Sequence, residues 1–179
     1  LETRLLQQLG DACATQAYVT EVQWQAQGLM RSLGGMLRGG AVLMIDYGFA
    51  ASEYYHAQRN RGTLMCHYRH RSHDDPFFWP GLQDITCHVD FSAMINAAKA
   101  SGLDCLGFTS QAGFLLHSGL IDLVQRVPVD DQARYLGMSN VVNRLTSPAE
   151  MGELFKVIAL MPAANATTVL PGFVHQRQV

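Results

Sequence analysis

The chain lacks paired cysteines, long apolar runs, a charge excess of either sign and a glycine-rich turn after any strand-like segment. Each absence removes a class of function. Cys13, Cys66, Cys87 and Cys105 are widely separated with no C-x-x-C spacing, so neither a zinc ribbon nor a thioredoxin-type site is supported, and reduced thiols are the simplest reading. No segment approaches the roughly 20 consecutive apolar residues that a membrane-spanning helix needs. Thirteen Lys and Arg against fifteen Asp and Glu leave a net charge of -2, which supplies no broad cationic surface for nucleic acid. The HExxH and Gly-x-Ser-x-Gly patterns are also missing, which removes the sequence case for a zinc protease and for a hydrolase triad.

What is present is a composition of 48% hydrophobic and 16% charged residues over 179 positions, enough for one domain with its own core. Leu1, Leu5, Leu6 and Leu9 have helical spacing with no capping residue ahead of them, so a helix is already under way at the first residue. The expectation is a chain cut within a larger protein. Val22, Ala26, Leu29, Met30, Leu33 and Leu37 form one face of a helix over 22–38, closed by Gly39 and Gly40. A branched, wholly apolar run over 41–45 follows and is stopped by Asp46-Tyr47-Gly48, the pattern of a strand covered on both faces. Asp90 is positioned to cap a helix that Gly102 ends, and 103–108 reads as a second strand. Helical patterns cover 111–127 and 132–145. Ser147-Pro148-Ala149-Glu150 has the form of a capping box opening a short turn before a third strand over 154–160. Alternating helices and strands predict an α/β layer architecture. Three strands make a small sheet, and an open edge on the first of them would be a pairing hazard, so a homodimer through that edge is an expectation.

Residues 49–84 have no sustained period and are too long for an ordinary connection. Their aromatic content, Tyr54, Tyr55, Tyr68, Phe77, Phe78 and Trp79, argues for an ordered insertion, extended around 63–68. His67, His70 and His73, with Asp74, Asp75, His88 and Asp90, are metal-ligand types in no recognised spacing, so no metal site is expected. Arg59, Arg61, Arg69 and Arg71 flank the same stretch as candidates for pairing with acidic groups.

Several short strings, in order along the chain, resemble the MidA-like methyltransferases, whose mitochondrial members assist respiratory complex I assembly. They are Leu43-Met44-Ile45-Asp46-Tyr47-Gly48, Arg61-Gly62-Thr63-Leu64 with Tyr68 and His70, Asp75-Pro76, Pro80-Gly81 and Asp84-Ile85-Thr86-Cys87-His88-Val89-Asp90-Phe91. Thr109-Ser110-Gln111 with Phe114-Leu115, then Met151-Gly152-Glu153-Leu154-Phe155-Lys156-Val157 and Pro171-Gly172-Phe173, continue the series. Each string alone is weak; their shared order is specific.

The resemblance implies the C-terminal part of a single class I methyltransferase domain over 1–179, with an insertion at about 49–89. The implied fold is a partial Rossmann-like sheet whose fifth, sixth and antiparallel seventh strands are the three read above. It implies S-adenosyl-L-methionine as the cofactor of the full-length protein, bound mainly upstream of residue 1, because the family's glycine-rich turn and acidic and Asn-Glu motifs do not occur here. It implies a protein substrate methylated on arginine, in a bacterial cytoplasm or, for a eukaryotic chain, the mitochondrial matrix. Ligands of open α/β sheets bind at the carboxyl ends of the parallel strands, so Asp46, Tyr47, His70, Asp84, His88, Gln111 and Glu153 are the candidate substrate-binding residues. Carboxylates would hold a cationic acceptor. Hydrogen bonding, capping or solvation is the competing role for each. The rival function is a non-catalytic protein-interaction or assembly module built on the insertion and the open edge.

Overall fold

A computed structural model describes residues 17–128, 131–165 and 170–173; the helix expected over 1–9 lies outside them. Among the described residues the first helix, α1, is Trp24–Met36, somewhat shorter at both ends than its apolar pattern. Strand β1, Val42–Phe49, follows it. The short helix α2, Ala51–Tyr54, opens the insertion, whose strands β2 (Met65–Tyr68), β3 (Arg71–His73) and β4 (Asp84–Thr86) form a separate antiparallel sheet in the order β3-β2-β4. The two-residue strand β5, Val89–Asp90, leads into α3, Phe91–Lys99, and β6, Leu103–Ser110. Helices α4 (Gln111–His117), α5 (Leu120–Gln125), α6 (Gln132–Thr146) and α7 (Met151–Leu154) precede β7, Phe155–Pro162, and a final 3-10 turn.

The main sheet runs β5-β1-β7-β6. Strand β7 is antiparallel to both β1 and β6, which are therefore parallel to each other, and β5 is parallel to β1. Met44, Ile158 and Phe108 lie in one row across three strands, as do Ile45, Val157 and Thr109 in the next. Because strand side chains alternate, the first row faces one layer and the second the other. The first face meets α1 and α3 in the larger core, where Met30, Phe91, Leu103, Ile158 and Leu160 are fully enclosed. Each such side chain contributes roughly 1.5–3 kcal/mol by leaving water. The second face carries Val157 and Ala159 under Phe173, with Leu106, Phe114 and Leu170 around them. Over β1 that second face is uncovered among the described residues, and Leu43 and Ile45 remain half exposed.

Three local expectations change in three dimensions. The first strand does not stop at Asp46: Asp46 and Tyr47 pair with Lys156 and Phe155 of β7, and Gly48 and Phe49 pair with β5. Gly48 permits that last pairing, since a Cβ there would collide with the Val89 backbone and the Phe91 ring. The helix expected over 111–127 is broken at Ser118-Gly119, where Gly119 has φ +91°, a conformation glycine adopts without strain. Ser147 does not open the next helix. It ends α6, and its carbonyl accepts from the amides of Glu150 (3.1 Å) and Gly152 (2.9 Å), so α7 starts at Met151.

Other local signals hold. The Asp90 carboxylate accepts from Ala93 N at 3.0 Å and caps α3. Its second oxygen accepts from the Tyr55 hydroxyl at 2.8 Å, and burial together with that carboxylate pushes the phenol well above its usual range. No helix among the described residues is long and apolar enough to cross a membrane.

Candidate functional site

Register brings three strand ends to one rim. Asp46 of β1, Lys156 at the start of β7 and Ser110 at the end of β6 are aligned, and Tyr47 lies beside Phe155. This is the carboxyl end of the two parallel strands, where helices begin and where open α/β sheets take ligands. Ser110 caps α4, accepting from Gly113 N.

Above β1 the rim is aromatic. The His88 ring stacks on Phe49 with centroids 5.0 Å apart and meets Tyr47 edge-on at 5.1 Å, while Tyr47 makes a further edge contact with Phe155 at 5.7 Å. Two cations attend the same ring: the Arg59 guanidinium carbon lies 4.0 Å from the Phe49 centroid and Lys156 Nζ 5.9 Å from it. Lys156 is almost wholly buried, and its ammonium donates to the Glu153 carbonyl oxygen. Burial, and then the Arg59 charge, hold the His88 imidazole below its ordinary pKa, so the ring is neutral at pH 7. Its Nδ1 is buried without a hydrogen-bond partner among the described residues, and its carbonyl accepts from Gln23 Nε2. A cleft of about 420 Å3 beside Arg59 is lined by Glu53, His56, Gln58 and Arg59.

Of the seven residues singled out from the sequence, Asp46, Tyr47, His88 and Glu153 gather at this rim. Asp46 is exposed and accepts from the Tyr47 amide at 2.8 Å. Gln111 is buried at the start of α4, and its amide donates to the Leu145 carbonyl at 2.9 Å, tying α4 to α6. His70 and Asp84 lie on the insertion's small sheet. His70 is exposed in the β2–β3 turn with φ +63°, and Asp84 is exposed opposite His67. Sequence reasoning missed Phe49, Phe155 and Lys156, and offered Arg59 only as a partner for acidic groups. Lys156 had a signal, being the single charge inside an apolar strand; the others acquire their place only through packing.

The histidines and arginines of the insertion are dispersed. Among the described residues no group of three His, Cys, Asp or Glu side chains could hold a metal ion. Arg61 pairs with Asp74 at 3.4 Å on the surface and Arg69 lies over the Tyr68 ring, whereas Arg59 alone of the four reaches the rim. Burial raises the pKa of the Cys66 and Cys87 thiols, which keeps both protonated at neutral pH and argues against either as a nucleophile.

A sheet with an antiparallel strand between two parallel ones and helices packed on both faces defines a mixed α/β protein. Known proteins narrow this class. The family model described as "Putative S-adenosyl-L-methionine-dependent methyltransferase" matches residues 2–109, and the chain belongs to that family. It is 34% identical over 127 residues to the mitochondrial protein arginine methyltransferase NDUFAF7 of Rattus norvegicus, covering 69% of this chain and 27% of the relative. The human NDUFAF7 is 32% identical over 129 residues, covering 70% and 27%. A Burkholderia thailandensis crystal structure bound to S-adenosyl-homocysteine is 49% identical with a TM-score of 0.85, covering 91% of this chain and 42% of that one. The chain thus spans about a quarter of the length of the curated relatives it matches.

S-adenosylmethionine needs a close backbone approach for its amino-acid moiety, which a glycine-rich turn after a parallel strand provides. The described residues do not fit that requirement. Gly48 is filled by β5, and the turns leaving β1 and β6 enter helices through Ala50 and Ser110.

Proposed function

We propose that this chain is the acceptor-side half of an S-adenosylmethionine-dependent protein methyltransferase acting on arginine, with the cofactor held mainly by a segment ahead of residue 1. In this reading β1, β6 and β7 are the fifth, sixth and seventh strands of a Rossmann-like sheet, and 1–179 is the C-terminal part of one domain. The observation that carries it is the rim itself: Asp46, Tyr47, His88 and the Glu153 carbonyl lie at the carboxyl ends of parallel strands, where the described residues form no glycine-rich turn. Family membership and the arginine methyltransferase relatives support the reaction class.

Methyl transfer to a guanidinium requires the acceptor nitrogen in line with the methyl group and carboxylates to hold the cation. Asp46 and Glu153 are assigned to hold it, with Tyr47 and His88 walling the cleft. Gln111 fixes α4 behind them, and His70 and Asp84 face an approaching protein from the insertion. A second reading, a protein-interaction module, is favoured by one feature. The insertion exposes Phe77, Trp79 and Leu82, a larger cluster of apolar surface than scattered single residues would make.

Calorimetric titration of S-adenosylmethionine into this chain and into one extended upstream separates these readings. Binding by the longer chain alone is the expected result. Tight binding by the short chain would overturn the placement of the cofactor, and binding by neither would favour the interaction module.

A further inference from the structure

We infer that the face of Phe49 is a guanidinium-binding platform and that Arg59 is its internal occupant, a side chain that a substrate arginine must displace. The inference rests on the proposed arginine acceptor and extends it to the residues that recognise the acceptor and to a device that keeps the site closed.

The Arg59 guanidinium lies well within the roughly 6 Å over which an aromatic ring attracts a cation. Phe49 is the last residue of β1, so its ring stands at the rim rather than in a core. His88, stacked on that ring, and Tyr47, set against His88, fix its orientation. A platform of this kind selects a planar guanidinium over an ammonium, because a flat cation can stack across the ring while its N–H groups reach acceptors at the edge.

Arg59 already uses such an acceptor, donating through Nη1 to the Glu53 carbonyl oxygen. Any guanidinium could use the same ring and carbonyl. The Glu53 side chain lines the adjoining cleft and offers an incoming cation a carboxylate as well. Exchange of Arg59 for a substrate arginine keeps one cation over the Phe49 ring. The backbone need not move, since the turn is secured by Arg59 N to the His56 carbonyl (2.8 Å) and Gly62 N to the Arg59 carbonyl (3.3 Å). Rotation of a half-exposed side chain into the cleft opens the platform.

N-acetyl-L-arginine amide is titrated calorimetrically into the chain and into its Arg59→Ala and Arg59→Gln variants, with N-acetyl-L-lysine amide as the comparison. Removing an internal competitor raises the fraction of open sites, so both variants bind the arginine probe about tenfold or more tightly than the parent, with a smaller gain for lysine. Adding Phe49→Leu abolishes the gain. Unchanged affinity in variants that melt like the parent overturns the inference. So does loss of folding in both, which would make Arg59 a structural brace; if only the alanine variant unfolds, the glutamine variant decides. Methyl transfer to an arginine peptide by the upstream-extended chain is scored separately. No transfer despite the binding gain would remove the methyltransferase reading and keep the platform, whereas transfer without the gain would remove the platform alone.

Discussion

His88 shows how one side chain reports the state of the rim. Its ring is half-buried between Tyr47 and Phe49, and burial with the nearby Arg59 charge disfavours the imidazolium. The folded protein then binds fewer protons at this site than the unfolded chain, whose histidine titrates near 6.5. Stability from this group is therefore complete above that value and declines as the pH falls through it towards the lower folded pKa. Urea unfolding followed from about pH 7.5 to about pH 5 should show the parent losing stability relative to His88→Gln, with the difference becoming independent of pH at the alkaline end. Parallel curves would mean that His88 is not desolvated. At this scale the sequence showed which side chains could do chemistry but not which were occupied. His88 and Asp46 stand out in the string, whereas Gln111 is already engaged by the Leu145 carbonyl, a contact 34 residues away in sequence.

Between elements, the Glu21 carboxylate ties the insertion to the body, beside the hydrogen bonds of Tyr55 to Asp90 and of His88 N to Thr63. Glu21, just before α1, accepts from Thr63 N (2.9 Å), Leu64 N (2.8 Å), Thr63 Oγ1 (3.1 Å) and the Tyr54 hydroxyl (3.1 Å). Gly62 adopts φ +75° against this carboxylate, and an added Cβ would strike it. Hydrogen bonds to a charged group are stronger than neutral ones, and removing the acceptor strands several donors. Glu21→Ala should cost about 2–4 kcal/mol in chemical unfolding and increase amide exchange across residues 61–68 more than in β7. Loss below about 0.5 kcal/mol would show that water replaces the clasp at little cost. Strong local signals were legible at this scale: the Asp90 cap, the apolar face of α1 and the runs of β6 and β7. Of the small sheet β3-β2-β4, only β2 was legible, as the extended stretch around 63–68. The sheet's strands are three or four residues long, too short for a periodic pattern, and its order depends on pairings such as Cys66 with both His73 and Ile85.

Across the whole molecule, the edge of β1 away from β7 is paired only at Gly48 and Phe49 among the described strands, and Leu43 and Ile45 are exposed beside it. Unpaired backbone next to apolar side chains is a template for association. Sedimentation velocity should show concentration-dependent dimers of this chain that Ile45→Lys weakens, and an upstream extension that covers the edge should abolish them. A monomer at every concentration would count against the edge as an interface. The sequence by itself determined the types of the longer elements and the family, because hydrophobic period, capping residues and ordered short motifs are local properties of the string. It also determined that no glycine-rich cradle occurs in these residues. Tertiary structure decided where β1 ends, since Asp46 to Phe49 are polar or mixed in sequence and become strand only by pairing with β7 and β5. It alone placed Phe49, Arg59, His88 and Lys156 around one ring, because aromatic and cation contacts depend on distances between segments up to about a hundred residues apart, which no local pattern encodes.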